Sequence, residues 1–281
     1  AEVVPPNLRA QVFSWRNIFS TAVVVLSLLL IRPWLGWAPF PLNYVVLYLA
    51  GGAAGLVSYW FLRRMEVPEF GPRLPSAGPR RLNLETVRQT IAGNREYVRF
   101  LVNTLVGNAG AYLASPLYII LYVRVLSASD GWVASANLYA NLSAMIGYYA
   151  WRRLLPRFGE SRILKVTWPI TGLFPLLVGV SSSLNLILLV IFWYGLVAPG
   201  LNLSHYNMLL EVCPRARRPT YISVYSSLNN LLAFVLPMVA VALADVFGVA
   251  AILVLSGVLW MLGGVLFTVN PVRVADVSRE G

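Results

Sequence analysis

Asparagine, tyrosine and histidine recur inside otherwise apolar stretches of this chain, at spacings that place them on shared helix faces. Asn108, Tyr112 and Ser115 are separated by four and three residues, with Asn103 upstream; Asn137 and Asn141 lie one turn apart; so do Asn202 and His205, with Tyr206 beside them; Ser226 precedes Asn229 and Asn230. Residues three or four apart are neighbours on a helix. Amides and phenols suit hydrogen bonding to a polar group rather than bond breaking, and in hydrocarbon they have to face other helices or water. They fit the wall of a solute cavity. They fit equally well as links between helices, where such bonds average about 0.6 kcal/mol and need no ligand. His205 could in addition titrate near neutral pH and carry a proton, or serve as a neutral hydrogen-bonding group.

The residues that are missing narrow the chemistry further. Cys213 and His205 are the single cysteine and histidine, which excludes an intrachain disulfide, a thiolate metal cluster and most nucleophile–base pairs. Asp130, Glu211 and Asp245 fall near the ends of apolar stretches, and no Asp, Glu or Lys falls in the middle of one. An intramembrane enzyme would need paired aspartates, a serine–histidine pair or a histidine–glutamate metal motif there. The expectation is therefore no enzyme, no metal and no cofactor.

The elements that must position these residues are membrane helices. The chain has 281 residues, 58% of them hydrophobic and 12% charged. An ordinary soluble domain carries roughly twice that charged share. The apolar runs do not alternate as barrel strands would, and a spanning helix takes about 20 residues. Eight spans are predicted, near 18–35, 42–62, 100–123, 132–151, 164–180, 184–203, 223–244 and 249–269. Pro169, Pro175, Pro199 and Pro237 fall within them, where proline bends a membrane helix without destroying it. Gly51 and Gly55, Gly107 and Gly110, and Gly257, Gly263 and Gly264 are expected to let helices approach closely.

Charge orients the spans. All lysines and arginines except Arg32 and Arg124 fall on one side of the predicted topology. The positive-inside rule places that side, with both ends of the chain, in the cytoplasm of a plasma or inner membrane. The net charge of +11 then reflects topology. Its spread over five membrane-flanking loops argues against nucleic acid as a partner.

A repeat organises the whole. Glu2, Val3, Pro5, Arg9 and Ser14 recur 209 residues later as Glu211, Val212, Pro214, Arg218 and Ser223. Each copy precedes two apolar spans, and six spans separate one copy from the next. Duplication at that period is the signature of transporters built from two similar halves. The proline- and glycine-rich stretch 63–95 reads as a linker, with 83–95 forming a short amphipathic surface helix. Residues 1–62 would then close a first half, 96–281 would form a complete six-helix second half, and the chain would be a piece lacking four earlier spans.

The segment from Gly147 to Arg162 carries Arg153, Arg157, Gly159 and Arg162 between the fourth and fifth spans. It resembles the arginine- and glycine-rich loop of the major facilitator superfamily between helices eight and nine, departing from it at Arg152 and Pro156. The Pro-x-x-x-Arg segments ending at Arg9 and Arg218 are similar to that family's loops before helices five and eleven. The resemblance implies an all-α bundle in which these eight spans are helices five to twelve of twelve. It implies a cytoplasmic gate loop containing Gly147, Arg153, Arg157, Gly159, Arg162 and Arg218. It also implies a cavity lined by helices seven, eight, ten and eleven, which here carry Asn103, Asn108, Tyr112, Asn137, Asn141, Asn202, His205 and Asn229. The function implied is secondary transport of a small solute across the bilayer by alternating access. Coupling to a proton or ion would run through the absent helices, and the piece alone would not transport. The rival is a membrane sensor or scaffold of the same architecture.

Overall fold

The computed structural model describes residues 6–39, 41–64, 93–214 and 217–272, all of them in helices or short connections. The eight long helices among the described residues are α1 (Pro6–Trp37), α2 (Leu42–Arg63), α3 (Arg95–Ala114), α4 (Asp130–Phe158), α5 (Glu160–Val180), α6 (Leu184–Val212), α7 (Arg218–Phe247) and α8 (Val249–Val269). The linker and its surface helix fall outside the described residues, apart from 63–64 and 93–95. The first repeat copy is described only from Pro6. Where they are described, the two copies run into the starts of α1 and α7.

Local chemistry sets the helix ends. Asn94 caps α3 by accepting from the Tyr97 N–H, and Ser129 caps α4 by accepting from the Trp132 N–H. Single glycines join α4 to α5 and α7 to α8. Gly159 and Gly248 adopt φ of +77° and +87°, a region open to glycine and costly for other residues, so two long helices reverse across one residue. α4 thus continues to Phe158, beyond the predicted end at 151, and the segment from Gly147 to Arg162 is helical except at Gly159.

α3 is interrupted midway. Pro116 has no N–H for the Tyr112 carbonyl, and the Ser115 hydroxyl donates to that carbonyl instead at 2.9 Å. The chain then makes one turn at Leu117–Ile119 and widens to a π-helix at Ile120–Val125, so the span as a whole runs Arg95–Val125.

Among the described residues seven helices are long and apolar enough to cross a membrane, and α4 is not one of them. Its 29 residues reach about 43 Å at 1.5 Å per residue, ample for a bilayer, but Asn137, Asn141 and its arginines dilute its apolarity.

Packing follows the order α1, α4, α6, α5, α8, α3, α7, each helix resting chiefly on the next. α8 is the hub. Gly257 meets the backbone of α5 at Gly172 and Leu176, Gly264 meets Pro169, and Gly263 sits against Gly107 of α3. Gly110 of α3 meets the α8 backbone at Ser256 and Trp260. Bilayer lipid offers no hydrophobic gain between helices, so this close backbone contact is what holds them. Gly51 and Gly55 play no such part: a side chain at either would meet nothing within 4 Å. α2 is exposed along nearly its whole length, and the Trp34 indole of α1 ties its start by donating to the Asn43 carbonyl.

Candidate functional site

A four-residue period on α3 builds the site. Phe100, Thr104, Asn108 and Tyr112 lie one turn apart and face α6 and α7. Asn108 donates through Nδ2 to Asn229 Oδ1 at 2.6 Å, and Asn229 in turn donates to the Tyr225 carbonyl at 2.9 Å. Asn108 and Tyr112 both neighbour the Tyr225 side chain. One turn toward the arginine-rich end, Thr104 Oγ1 lies 3.1 Å from His205 Nε2, where either group can donate according to the imidazole tautomer. The imidazole is stacked on Phe100 with centroids 5.0 Å apart, abuts the Trp168 ring edge-on at 5.1 Å, and lies 5.9 Å from Tyr225.

This places Asn108, Tyr112, Asn229 and His205 in one continuous cluster spanning α3, α6 and α7. No described carboxylate, lysine or arginine hydrogen-bonds to it, so its chemistry is that of neutral donors and acceptors between aromatic walls. Among the described residues His205 has a hydroxyl and aromatic rings around it and no acidic partner.

The other cavity candidates lie elsewhere. Asn103 is fully buried against α8: its Nδ2 donates to the Asn270 carbonyl at 3.1 Å, and the Asn270 amide returns to Asn103 Oδ1 at 3.5 Å. Asn137 and Asn141 donate to the carbonyls four residues back on their own helix, those of Val133 and Asn137. Asn202 is exposed on α6, one turn before Tyr206, which packs edge-on against Phe13 of α1.

The residues expected to form one gate loop divide among several tasks. Gly147 lies inside α4 and seats it against the α6 backbone at Gly195 and Leu196. Gly159 is the turn. Arg153 donates to the Tyr149 hydroxyl at 2.7 Å, Arg157 is exposed, and Arg162 lines an open cavity of about 890 Å³ together with Glu160, Lys165 and Glu211. Buried Arg218 donates to the Leu210 carbonyl at 2.9 Å, and Asn94 donates to the Val212 carbonyl at 3.0 Å. A helix end leaves its last carbonyls unpaired. Here the starts of α7 and α3 supply donors to the end of α6, and the Tyr97 hydroxyl adds a bond to the Tyr221 carbonyl at 2.8 Å. Three helices are thus fastened together at the arginine-rich end.

Sequence reasoning passed over Thr104, Phe100 and Asn94. Extending the four-residue period backward from Asn108 would have found the first two. Asn94 carries a recognisable capping position, but its second bond to α6, 118 residues away, leaves no local trace.

The sequence pattern of the Major Facilitator Superfamily matches residues 127–280, more than half of the chain. No curated protein matches it.

Proposed function

Starting from the fact that the chain belongs to the Major Facilitator Superfamily, whose members carry solutes across membranes, we propose that it is a secondary transporter of a small, uncharged polar or amphiphilic solute, working by alternating access. The observation that carries this reading is the Asn108–Asn229 bond between α3 and α7. It joins half-buried Asn108 of α3 to buried Asn229 of α7, with the half-buried Tyr112 and Tyr225 side chains alongside. A solute amide or hydroxyl can replace either partner of such a bond, and the neighbouring rings supply apolar contact. The absence of described charge in the cluster favours a neutral solute over an ion. The arginine-rich end is assigned to the cytoplasm of a plasma or inner membrane by the asymmetry of basic residues.

The test is a panel of neutral and charged solutes against the purified protein in lipid nanodiscs, read as a shift in unfolding temperature. Neutral polar solutes are expected to stabilise the protein, and Asn108→Ala or Asn229→Ala to remove that stabilisation while leaving the unliganded protein folded. Stabilisation by charged solutes alone, or shifts unchanged in both variants, would place the solute elsewhere.

A further inference from the structure

We infer that the seam between α1 and α4, at the arginine-rich end, is a binding site for the headgroup of an anionic glycerophospholipid. Arg152 of α4 crosses that seam. Its guanidinium carbon lies 4.6 Å from the ring centroid of Trp15 on α1 and 4.3 Å from that of Tyr149 on its own helix. Arg153 lies 4.4 Å from the other partner of the stack, Tyr149, and donates to its hydroxyl. Arg157 follows one turn on, exposed, and Arg16 lies next to Trp15 with its own guanidinium 5.3 Å from the Phe13 ring. Among the described residues no carboxylate is within ion-pair distance of any of these four arginines, and Arg152 Nε is buried without a hydrogen-bond partner.

Arg152 and Arg153 meet on the Tyr149 ring with no described carboxylate beside them, and like charges this close repel; near a low-dielectric membrane that repulsion is poorly screened. An anion relieves it. The aromatic faces hold the arginine planes, Arg152 Nε makes no hydrogen bond, and a planar fork of N–H donors suits a phosphate diester oxygen pair better than a point charge would. What lies toward the bilayer middle identifies the anion's source. Trp15 stacks on Phe19 at 5.6 Å, and Phe19 is 64% exposed; on α4, Ile146 sits one turn inward from Tyr149 and is 51% exposed. The order along the seam is therefore arginine, then Trp15 and Tyr149, then Phe19 and Ile146. That is the polarity profile of one anionic lipid, with headgroup, interface and acyl chain in turn. A basic residue that merely fixes topology needs neither the stack nor the apolar continuation.

Native mass spectrometry of the full chain, delipidated in detergent and titrated with phosphatidylglycerol or phosphatidylcholine of identical acyl chains, tests this. The unaltered protein is expected to retain phosphatidylglycerol in clear preference to phosphatidylcholine. The double variant Arg152→Gln, Arg153→Gln should bind phosphatidylglycerol about tenfold more weakly. Arg124→Gln, at the opposite end of the bundle, should leave binding unchanged. Arg152→Lys keeps the charge and loses the stacked fork, so it should weaken binding even where the double variant fails to fold; full binding in the lysine variant would reduce the site to a generic basic patch and overturn the assignment. Equal retention of the two lipids, unaltered affinity in the double variant, or complete displacement by glycerol phosphate would overturn it as well, the last by showing a free-phosphate site with no role for the acyl chains.

Discussion

Asn103 and Asn108 lie five residues apart on α3, and the two seams they face are held in opposite ways. On the α8 side, Asn103 is sealed among glycines that bring two backbones together, and its amide closes a reciprocal pair with Asn270 beyond the end of α8. On the α7 side no glycine brings the two backbones together. Beyond Asn229, the α7 side chains that are buried are Ala240 and Ala244, and large side chains such as Phe234 and Val246 are more than 70% exposed. Contact is carried by two polar bonds, Tyr97 to Tyr221 and Asn108 to Asn229, and by the rings of Tyr97 on Tyr221 and Phe100 on Tyr225, while Arg218 ties the start of α7 to Leu210 of α6. The first seam is a fixed joint. The second is fastened at the arginine-rich end and near the middle, and beyond that point it depends on little. A transporter needs both, because a helix that is to move must be held by bonds that can be exchanged, and it needs a rigid neighbour to move against.

Wedging the rigid seam is expected to have the largest effect. A leucine at Gly263 would run into the Gly107 backbone, which cannot step aside as a flexible side chain could. Overpacking of a tight contact typically costs about 1–3 kcal/mol and sometimes more, and thermal unfolding of Gly263→Leu should show a loss at or above the top of that range. Gly51→Leu on α2 should leave the unfolding temperature unchanged, because a side chain there meets open space. Equal losses in the two variants would mean that the helix association does not rest on close backbone approach.

The second comparison sets the two asparagines against each other. Asn103→Leu removes the fully buried member of an amide pair whose other member, Asn270, is half-buried, and packs an apolar side chain against the Gly263 seam, a loss of about 1–3 kcal/mol. Asn108→Leu breaks a bond from a half-buried amide to buried Asn229, which keeps its bond to the Tyr225 carbonyl, and interhelical hydrogen bonds average about 0.6 kcal/mol. Stability should therefore fall more in the first variant, while solute-induced stabilisation should disappear in the second. If Asn108→Leu proved the more destabilising and solute response survived, Asn108 would be a structural link like Asn103.

Those two residues also show what a sequence can and cannot convey here. The spans, their polar faces and the single-sided arginines follow from local composition, and the helices appear where the apolar runs lie. Asn103 and Asn108 look alike at that level. What separates them is a partner at Asn270 in one case and at Asn229 in the other, more than 100 residues away, and nothing in a helical period encodes which neighbour a face will meet. Asn137 and Asn141 were equally indistinguishable from cavity residues, yet their amides turn back to their own helix. The α4 end was misplaced for a related reason. Arg152, Arg153 and Arg157 read as loop charges by polarity alone, whereas the ring contacts of Arg152 and Arg153 and the Gly159 turn allow the helix to continue past them.

Cys213 offers the gentlest probe of the fastened end of the second seam. It follows α6 directly, is buried, and lies between the Asn94 and Arg218 attachments. Burial pushes its thiol up to about 11, with nearby Arg218 offsetting part of the rise. The thiolate is the reacting species, so between pH 7 and 9 only a small fraction is reactive, growing about tenfold per pH unit in that range. Maleimide labelling of the folded protein should accordingly be slow, steepen with pH, and accelerate sharply on denaturation. Arg218→Gln removes both the offsetting charge and a bond to the end of α6. If the seam stays closed without it, labelling should slow further as the thiol rises; if Arg218 is what keeps the end fastened, exposure should outweigh the electrostatic change and labelling should speed up. The fixed-end description of α7 requires the second result, and slower labelling in Arg218→Gln would shift the attachment to Asn94 and Tyr97.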